Sequence, residues 1–158
     1  MERETVIEIL LFFRDIEKEI SLNTRILKEY EERYYNTRGN ISLDGVPRNK
    51  YKISNPTEAA AINIPDSISA VMRELRKQNE RLDKLKNTIS GEINSLPSVE
   101  KNIVYDFHVK GLQWVQISLS VNYSERQCRN ICNRGLDNLG KQFSKNALIK
   151  KLLSERYV

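Results

Sequence analysis

The chain has 158 residues, 26 Lys+Arg against 21 Asp+Glu, and 39% apolar residues, enough for one domain or two small ones with a buried core. No run approaches the roughly 20 apolar residues of a membrane span, and Met1-Glu2-Arg3-Glu4 does not introduce a signal-peptide pattern. Two cysteines suit a reducing cytosol, and with a single histidine a four-ligand zinc site would have to recruit carboxylates, so no catalysis, cofactor or metal is expected.

Val6, Ile9, Phe13, Ile16, Ile20, Asn23, Leu27, Tyr30 and Tyr34 recur at 3-4-3-4 spacing, which places them on one stripe of a long helix. Leu10, Phe12 and Ile26 widen that stripe, and Asn23 on the seam is positioned to fix register. The helix is expected to end near Thr37-Arg38-Gly39, where glycine supplies a left-handed cap. Residues 39 to about 65 read as an irregular connection rich in turn signals, with one or two helical turns at Pro56–Ala61. A second seam follows at Ile68, Val71, Leu75, Gln78, Leu82, Leu85, Ile89 and Leu96, flanked by Met72 and Ile93 and capped at its start by Asp66 or Ser67. Residues 1–96 therefore read as a coiled-coil-like helical hairpin about 45 Å long, and an intermolecular coil is the competing use of the same stripes.

The basic charge is concentrated at the other end. Residues 1–50 carry 9 basic and 10 acidic side chains and residues 51–100 carry 7 of each, whereas residues 101–158 carry 10 and 4. An anionic partner would meet this last third. Here the pattern changes to short helices. Leu96-Pro97-Ser98 opens one with Val99, Ile103, Val104 and Phe107 inside, and Lys110-Gly111 closes it. His108, at its end, reads as a surface or C-cap residue. Trp114 to Leu119 forms two turns with Trp114, Ile117 and in a wider face Val115 inward, followed by the turn Val121-Asn122-Tyr123.

Ser124-Glu125-Arg126-Gln127 is a capping box. The helix it opens buries Cys128, Ile131, Cys132, Leu136 and Leu139 and exposes Glu125, Arg126, Arg129, Asn130, Asn133 and Arg134. Cys128 and Cys132 read as a buried thiol pair. A short helix, a tight turn and a capped helix with Arg and Asn on its outer N-terminal half make a helix-turn-helix. Arg pairs bidentately with guanine and Asn with adenine. The expected base readers are Glu125, Arg126, Arg129, Asn130 and Asn133, and the expected backbone contacts are Ser124, Arg134, Lys141 and Lys145. The basic amphipathic tail Ala147–Leu153 reads as a last packed helix, with Lys150 or Lys151 on phosphate as the sharper alternative.

Two resemblances attach to these residues. Leu96–Lys101, Gly111–Ser118, Tyr123–Ile131 and Gly135–Leu139 together resemble the C-terminal, −35-reading domain of primary-type sigma factors over about 45 residues. That resemblance implies base reading by Glu125, Arg126, Arg129 and Asn130. The family's usual basic-then-acidic order at the first two is reversed here. Nothing in the chain resembles the family's −10-melting domain. The tracts Asp44-Gly45-Val46-Pro47-Arg48 and Ile53–Ala60 lie between two long helices and ahead of the sigma-like motif. This combination resembles phage and prophage transcriptional regulators of the RinA/ArpU type, which implies control of late or packaging genes.

The expectation is an all-α protein: a helical hairpin over 1–96 for oligomerisation or partner docking, then a sigma-like helix-turn-helix domain over 97–158. Its expected role is sequence-specific DNA binding in transcription regulation, in the cytoplasm of a bacterial host at the nucleoid. The expected partners are double-stranded DNA, bacterial RNA polymerase and a second copy of the chain through 1–96, with no membrane. The rivals are a small terminase-like packaging subunit and an interaction protein that contacts sigma or polymerase without binding DNA.

Overall fold

The computed structural model describes residues 1–39 and 56–156. Among them the protein is all-helical and contains no strand. The elements are α1 (Arg3–Gly39), α2 (Pro56–Asn94), α3 (Ser98–Val104) continued by a π-helical turn (Tyr105–Val109), α4 (Trp114–Val121), α5 (Glu125–Phe143) and α6 (Ala147–Arg156). No described helix is long and apolar enough to cross a membrane. The tract Asp44–Arg48 and most of the connection expected near 39–65 lie outside the described residues.

Where that connection is described, it is helix. Residues 56–65 belong to α2, so Asp66 and Ser67 lie inside the element and do not open it. Ala59-Ala60-Ala61 are strong helix formers and offset part of the cost of Pro65 inside the element, which is about 3 kcal/mol for an interior proline.

Contacts divide the chain into two compact units, residues 1–18 with 82–158 and residues 19–81. The division does not fall at 96/97, because the first turns of α1 and the last turns of α2 pack with the short helices. In the larger unit Val6, Ile9, Leu10 and Ile16 of α1 are buried with Leu82, Leu85, Ile89 and Ile93 of α2, as the 3-4 spacing requires. Arg3 donates two hydrogen bonds to the Asp137 carboxylate, each 2.6 Å, and the Met1 nitrogen donates to Ser144 Oγ at 3.1 Å. Gly140 permits this approach, since a Cβ there would lie 2.9 Å from the Met1 carbonyl oxygen. Lys86 pairs with Glu17 at 2.5 Å.

In the unit 19–81, Arg76 pairs with Glu31 at 2.8 Å and Asn79 Nδ2 donates to Thr24 Oγ1 at 3.4 Å. Partner numbers fall on α2 as they rise on α1, so the two stretches run antiparallel within this unit. Its covered stripe on α2 is Ile68, Met72, Leu75 and Asn79, whereas Val71 and Gln78 of the expected seam are exposed. A 3.5-residue repeat drifts across the surface of a helix turning at 3.6, and the seam has moved one position along. Among the described residues, this unit has no fully buried apolar side chain. Asn23 is 7% exposed with Nδ2 lacking a partner, and Asn79 Oδ1 is likewise buried and unpartnered.

Candidate nucleic-acid interface

The short helices build one platform in the larger unit. α3 packs on α5 where Gly135 leaves no side chain: a Cβ there would meet Val104 Cγ2 at 2.8 Å. The buried Glu100 carboxylate accepts from Arg134 Nε at 2.6 Å and from Asn138 Nδ2 at 2.9 Å, tying α3 to the middle of α5.

The end of α3 departs from the expectation. The Lys110 N–H donates to the Tyr105 carbonyl at 3.0 Å and the Leu112 N–H to that of Asp106 at 2.9 Å, so the helix widens before Gly111 closes it at φ +74°. The wider i→i+5 turn returns position 108, five past the buried Ile103, to the inner face. His108 is therefore buried, not a surface or cap residue. Its ring meets Phe107 edge-on at 4.9 Å, and Nε2 lies 3.7 Å from Cys132 Sγ. Burial lowers the His108 pKa and pushes the Cys132 thiol up to about 12. Cys128 and Cys132 are both free and buried, and burial raises the Cys128 thiol as well. Among the described residues, no three His, Cys, Asp or Glu side chains converge to hold a metal ion.

Phe107, half-buried, leaves the inner face to stack on Trp114, ring centroids 4.0 Å apart at 19°. α4 is opened by a capping box that the composition did not suggest: Gln113 and Gln116 reciprocally cap its first turn. Ile117 is buried, but Val115 is 56% exposed and points away from the core. Leu119, one turn on at i+4, is 75% exposed on the same side, and Tyr123, also exposed, lies in the turn beyond the end of α4. Val121 remains in the helix, and Asn122 turns the chain in the left-handed conformation (φ 57°, ψ 37°), which Asn tolerates better than most residues.

α5 opens as the sequence requires. Ser124 Oγ accepts the Gln127 N–H at 3.3 Å, and Gln127 Oε1 accepts the Ser124 N–H at 3.0 Å. Cys128, Cys132, Gly135, Leu136, Leu139, Gly140 and Phe143 form its buried face. On the opposite side Arg126, Asn130 and Asn133 follow at i, i+4 and i+7, all exposed. Among the described residues, these three side chains have no hydrogen bond or ion pair. The stripe is about 10 Å long at 1.5 Å per residue. Arg129 is exposed but engaged: Nη2 donates to Glu125 Oε2 at 3.2 Å, and Cζ lies 5.7 Å from the Trp114 ring centroid.

The four residues assigned to DNA backbone differ in their situation. Ser124 is spent on the cap, Arg134 is 64% exposed with its Nε on Glu100, and Lys141 and Lys145 are exposed without an ion pair among the described residues. Arg3 holds the Asp137 carboxylate below its ordinary pKa and offsets the second acidic charge of α5. α6 is capped by Asn146, whose Oδ1 accepts the Leu148 N–H at 3.1 Å, and it buries Ile149 and Leu152 while Lys150 and Lys151 stay exposed. No protein-family model, curated protein or solved structure matches the chain.

Proposed function

We propose that the protein is a sequence-specific, double-stranded-DNA-binding transcription regulator without catalytic activity. In this reading residues 97–158 act as a sigma-like helix-turn-helix with α5 in the major groove, and residues 1–96 act as a long helical hairpin for oligomerisation or polymerase docking. Control of phage or prophage late genes in a bacterial host follows from the resemblance to RinA/ArpU-type regulators. The observation that carries the proposal is the stripe Arg126, Asn130 and Asn133. It gives a guanine-pairing and two adenine-pairing side chains on the first turns of a capped helix, unpartnered and fitting the ~12 Å width of the groove. Lys141, in the last turn of that helix, and Lys145, just past its end, are the phosphate contacts in this reading.

The absence of any fully buried apolar side chain among the described residues of 19–81, with Asn23 Nδ2 and Asn79 Oδ1 unpartnered, favours a second copy seated there. The test of DNA binding is fluorescence anisotropy of the full chain on random and selected duplexes across a salt series. Affinity should fall by roughly one log unit per log unit of salt for each phosphate neutralised, and a flat response removes the proposal.

One observation favours a second reading. The exposed apolar side chains Val115 and Leu119 on α4, with Tyr123 in the turn after it, suit an interaction protein that contacts sigma or polymerase. That reading gains if Leu119→Asp abolishes polymerase binding while duplex DNA produces no salt-sensitive signal.

A further inference from the structure

Three contacts meet on Arg129 and Trp114. Phe107 fills one face of the indole at stacking distance, 4.0 Å between centroids, which leaves the other face to a guanidinium. Arg129 Cζ lies over the ring at 5.7 Å, and Glu125 accepts one of its N–H groups at 3.2 Å. The column does not end at the surface. Phe107 packs edge-on against the buried His108, whose Nε2 lies 3.7 Å from Cys132 Sγ on the inner face of α5. A flexible arginine on the exposed side of α5 is thus held against a flat, core-rooted surface by one cation–π contact and one carboxylate. A guanidinium has five N–H donors in a rigid fork, and Glu125 takes one of them. The donors that remain are of the kind that pair with guanine O6 and N7 in a major groove.

We infer that Trp114 is a positioning residue: it holds the Arg129 guanidinium in place to read a guanine in double-stranded DNA. The inference rests on the DNA-binding reading above and adds to it a residue outside the recognition helix, on α4, that acts through Arg129. Trp114 itself need not touch DNA. Stacking removes rotamer freedom from Arg129 before binding, so less ordering remains when a base pair arrives. Glu125 has the matching second role of fixing the rotation of the fork about the ring.

The experiment uses the full chain and a duplex enriched by the wild-type protein from a random pool, with a scrambled duplex as control. Arg129→Ala should weaken the enriched duplex roughly 5- to 150-fold. Trp114→Leu should weaken it roughly 2- to 5-fold, as expected for an exposed cation–π contact, and leave the scrambled duplex unchanged. Trp114→Phe, which keeps an aromatic face, should recover most of that loss. Added to Arg129→Ala, Trp114→Leu should cost nothing further. Circular dichroism checks folding of each variant. Should Trp114→Leu not fold, fluorinated tryptophan at Trp114, the sole tryptophan, decides: it keeps the ring's shape but weakens the cation–π face. It should lower affinity for the enriched duplex and leave the scrambled one unchanged, and no such loss overturns the positioning role. A 7-deazaguanine duplex, which lacks the N7 acceptor, should lose affinity for the wild-type protein at one position and lose none for Arg129→Ala.

Equal losses on both duplexes with Trp114→Leu, a full additive loss on top of Arg129→Ala, or indifference to 7-deazaguanine at every position overturns the positioning role while leaving DNA binding intact. A wild-type protein that enriches no sequence and binds no duplex overturns both, and the two failures are told apart by that first measurement.

Discussion

Replacing Gly135 and Gly91 by alanine, one at a time, should move stability in opposite directions. At Gly135 the new methyl would sit 2.8 Å from Val104 Cγ2 and 3.4 Å from Glu100 Cβ. Carbon atoms in contact prefer about 3.5–4.0 Å, so Val104 must retreat by roughly 0.7 Å. Val104 has no exposed surface and, being β-branched in a helix, has one favoured rotamer. The retreat therefore moves α3 itself and strains the Glu100 bonds to Arg134 and Asn138. Overpacking of this kind costs about 1–3 kcal/mol, and the better helix propensity of alanine returns about 0.5–1 kcal/mol. Gly135→Ala should thus lose about 1–2 kcal/mol.

At Gly91 nothing lies within 4 Å of the added methyl, so only the propensity gain of about 0.5–1 kcal/mol remains. In a chain of this size 1 kcal/mol shifts Tm by about 2–4 °C. Both glycines lie in the unit that contains Trp114, the sole tryptophan, whose fluorescence during thermal or urea unfolding reports on both. A Gly135→Ala protein as stable as the wild type, or stabilised like Gly91→Ala, would refute the close approach of α3 to α5.

The His108 pKa is lowered by burial, so below about 6.5, the ordinary histidine value, the unfolded chain takes up the proton first. Stability of the larger unit should fall as pH drops through that range, and His108→Gln should remove that part of the slope. Cys128 and Cys132 should react slowly with a thiol reagent near pH 8 in the folded protein and fast in urea, because burial raises both thiols and takes Cys132 up to about 12. Arg134→Ala should lower stability by about 1–3 kcal/mol in urea unfolding by leaving the buried Glu100 carboxylate with Asn138 alone. Light scattering at high micromolar concentration should give a dimer for the full chain; a monomer would remove the second copy proposed for residues 1–96.

The long-range consequences of the sequence were the least legible. The first stripe was readable to the residue, since Val6, Ile9 and Ile16 are buried and Asn23 lies on the seam. So was the Ser124 capping box, because a cap is a local pattern of a few residues with an obvious hydrogen-bond purpose. His108 was misplaced because a π-turn has no compositional signature: the widening that turns it inward shows in the Lys110–Tyr105 and Leu112–Asp106 hydrogen bonds. Val115 was placed inward only in a wider face beside Trp114 and Ile117, and one further apolar side chain on a short helix does not fix how wide that face is. The second seam slipped from Val71 and Gln78 to Met72 and Asn79 because a repeat says which residues share a stripe, not which edge a partner covers. The Arg3–Asp137 pair joins residues 134 apart in sequence, and no spacing rule reaches that far. With the Met1–Ser144 hydrogen bond and the close approach of Met1 to Gly140, it belongs to the packing that puts residues 1–18 in one unit with the short helices.

α5 is gripped along one side and left open along the other. Gly135 lets α3 in, Glu100 takes Arg134 and Asn138, Arg3 takes Asp137, and Cys132 meets His108. Arg126, Asn130 and Asn133 take part in none of these contacts. Any surface helix shows a polar row of this kind to water, which satisfies all three side chains. A helix held for recognition gains from both halves: its backbone is already placed, so only side chains remain to be ordered on binding. Arg134 sits on the border between the two. Its Nε is committed to Glu100, while the rest of its guanidinium lies on a side chain 64% exposed, still able to meet a phosphate. The same bond that stabilises the α3–α5 junction would then aim a backbone contact. In the proposed DNA-binding reading, stability and DNA affinity would be coupled for this residue through one carboxylate and independent for Arg126, Asn130 and Asn133.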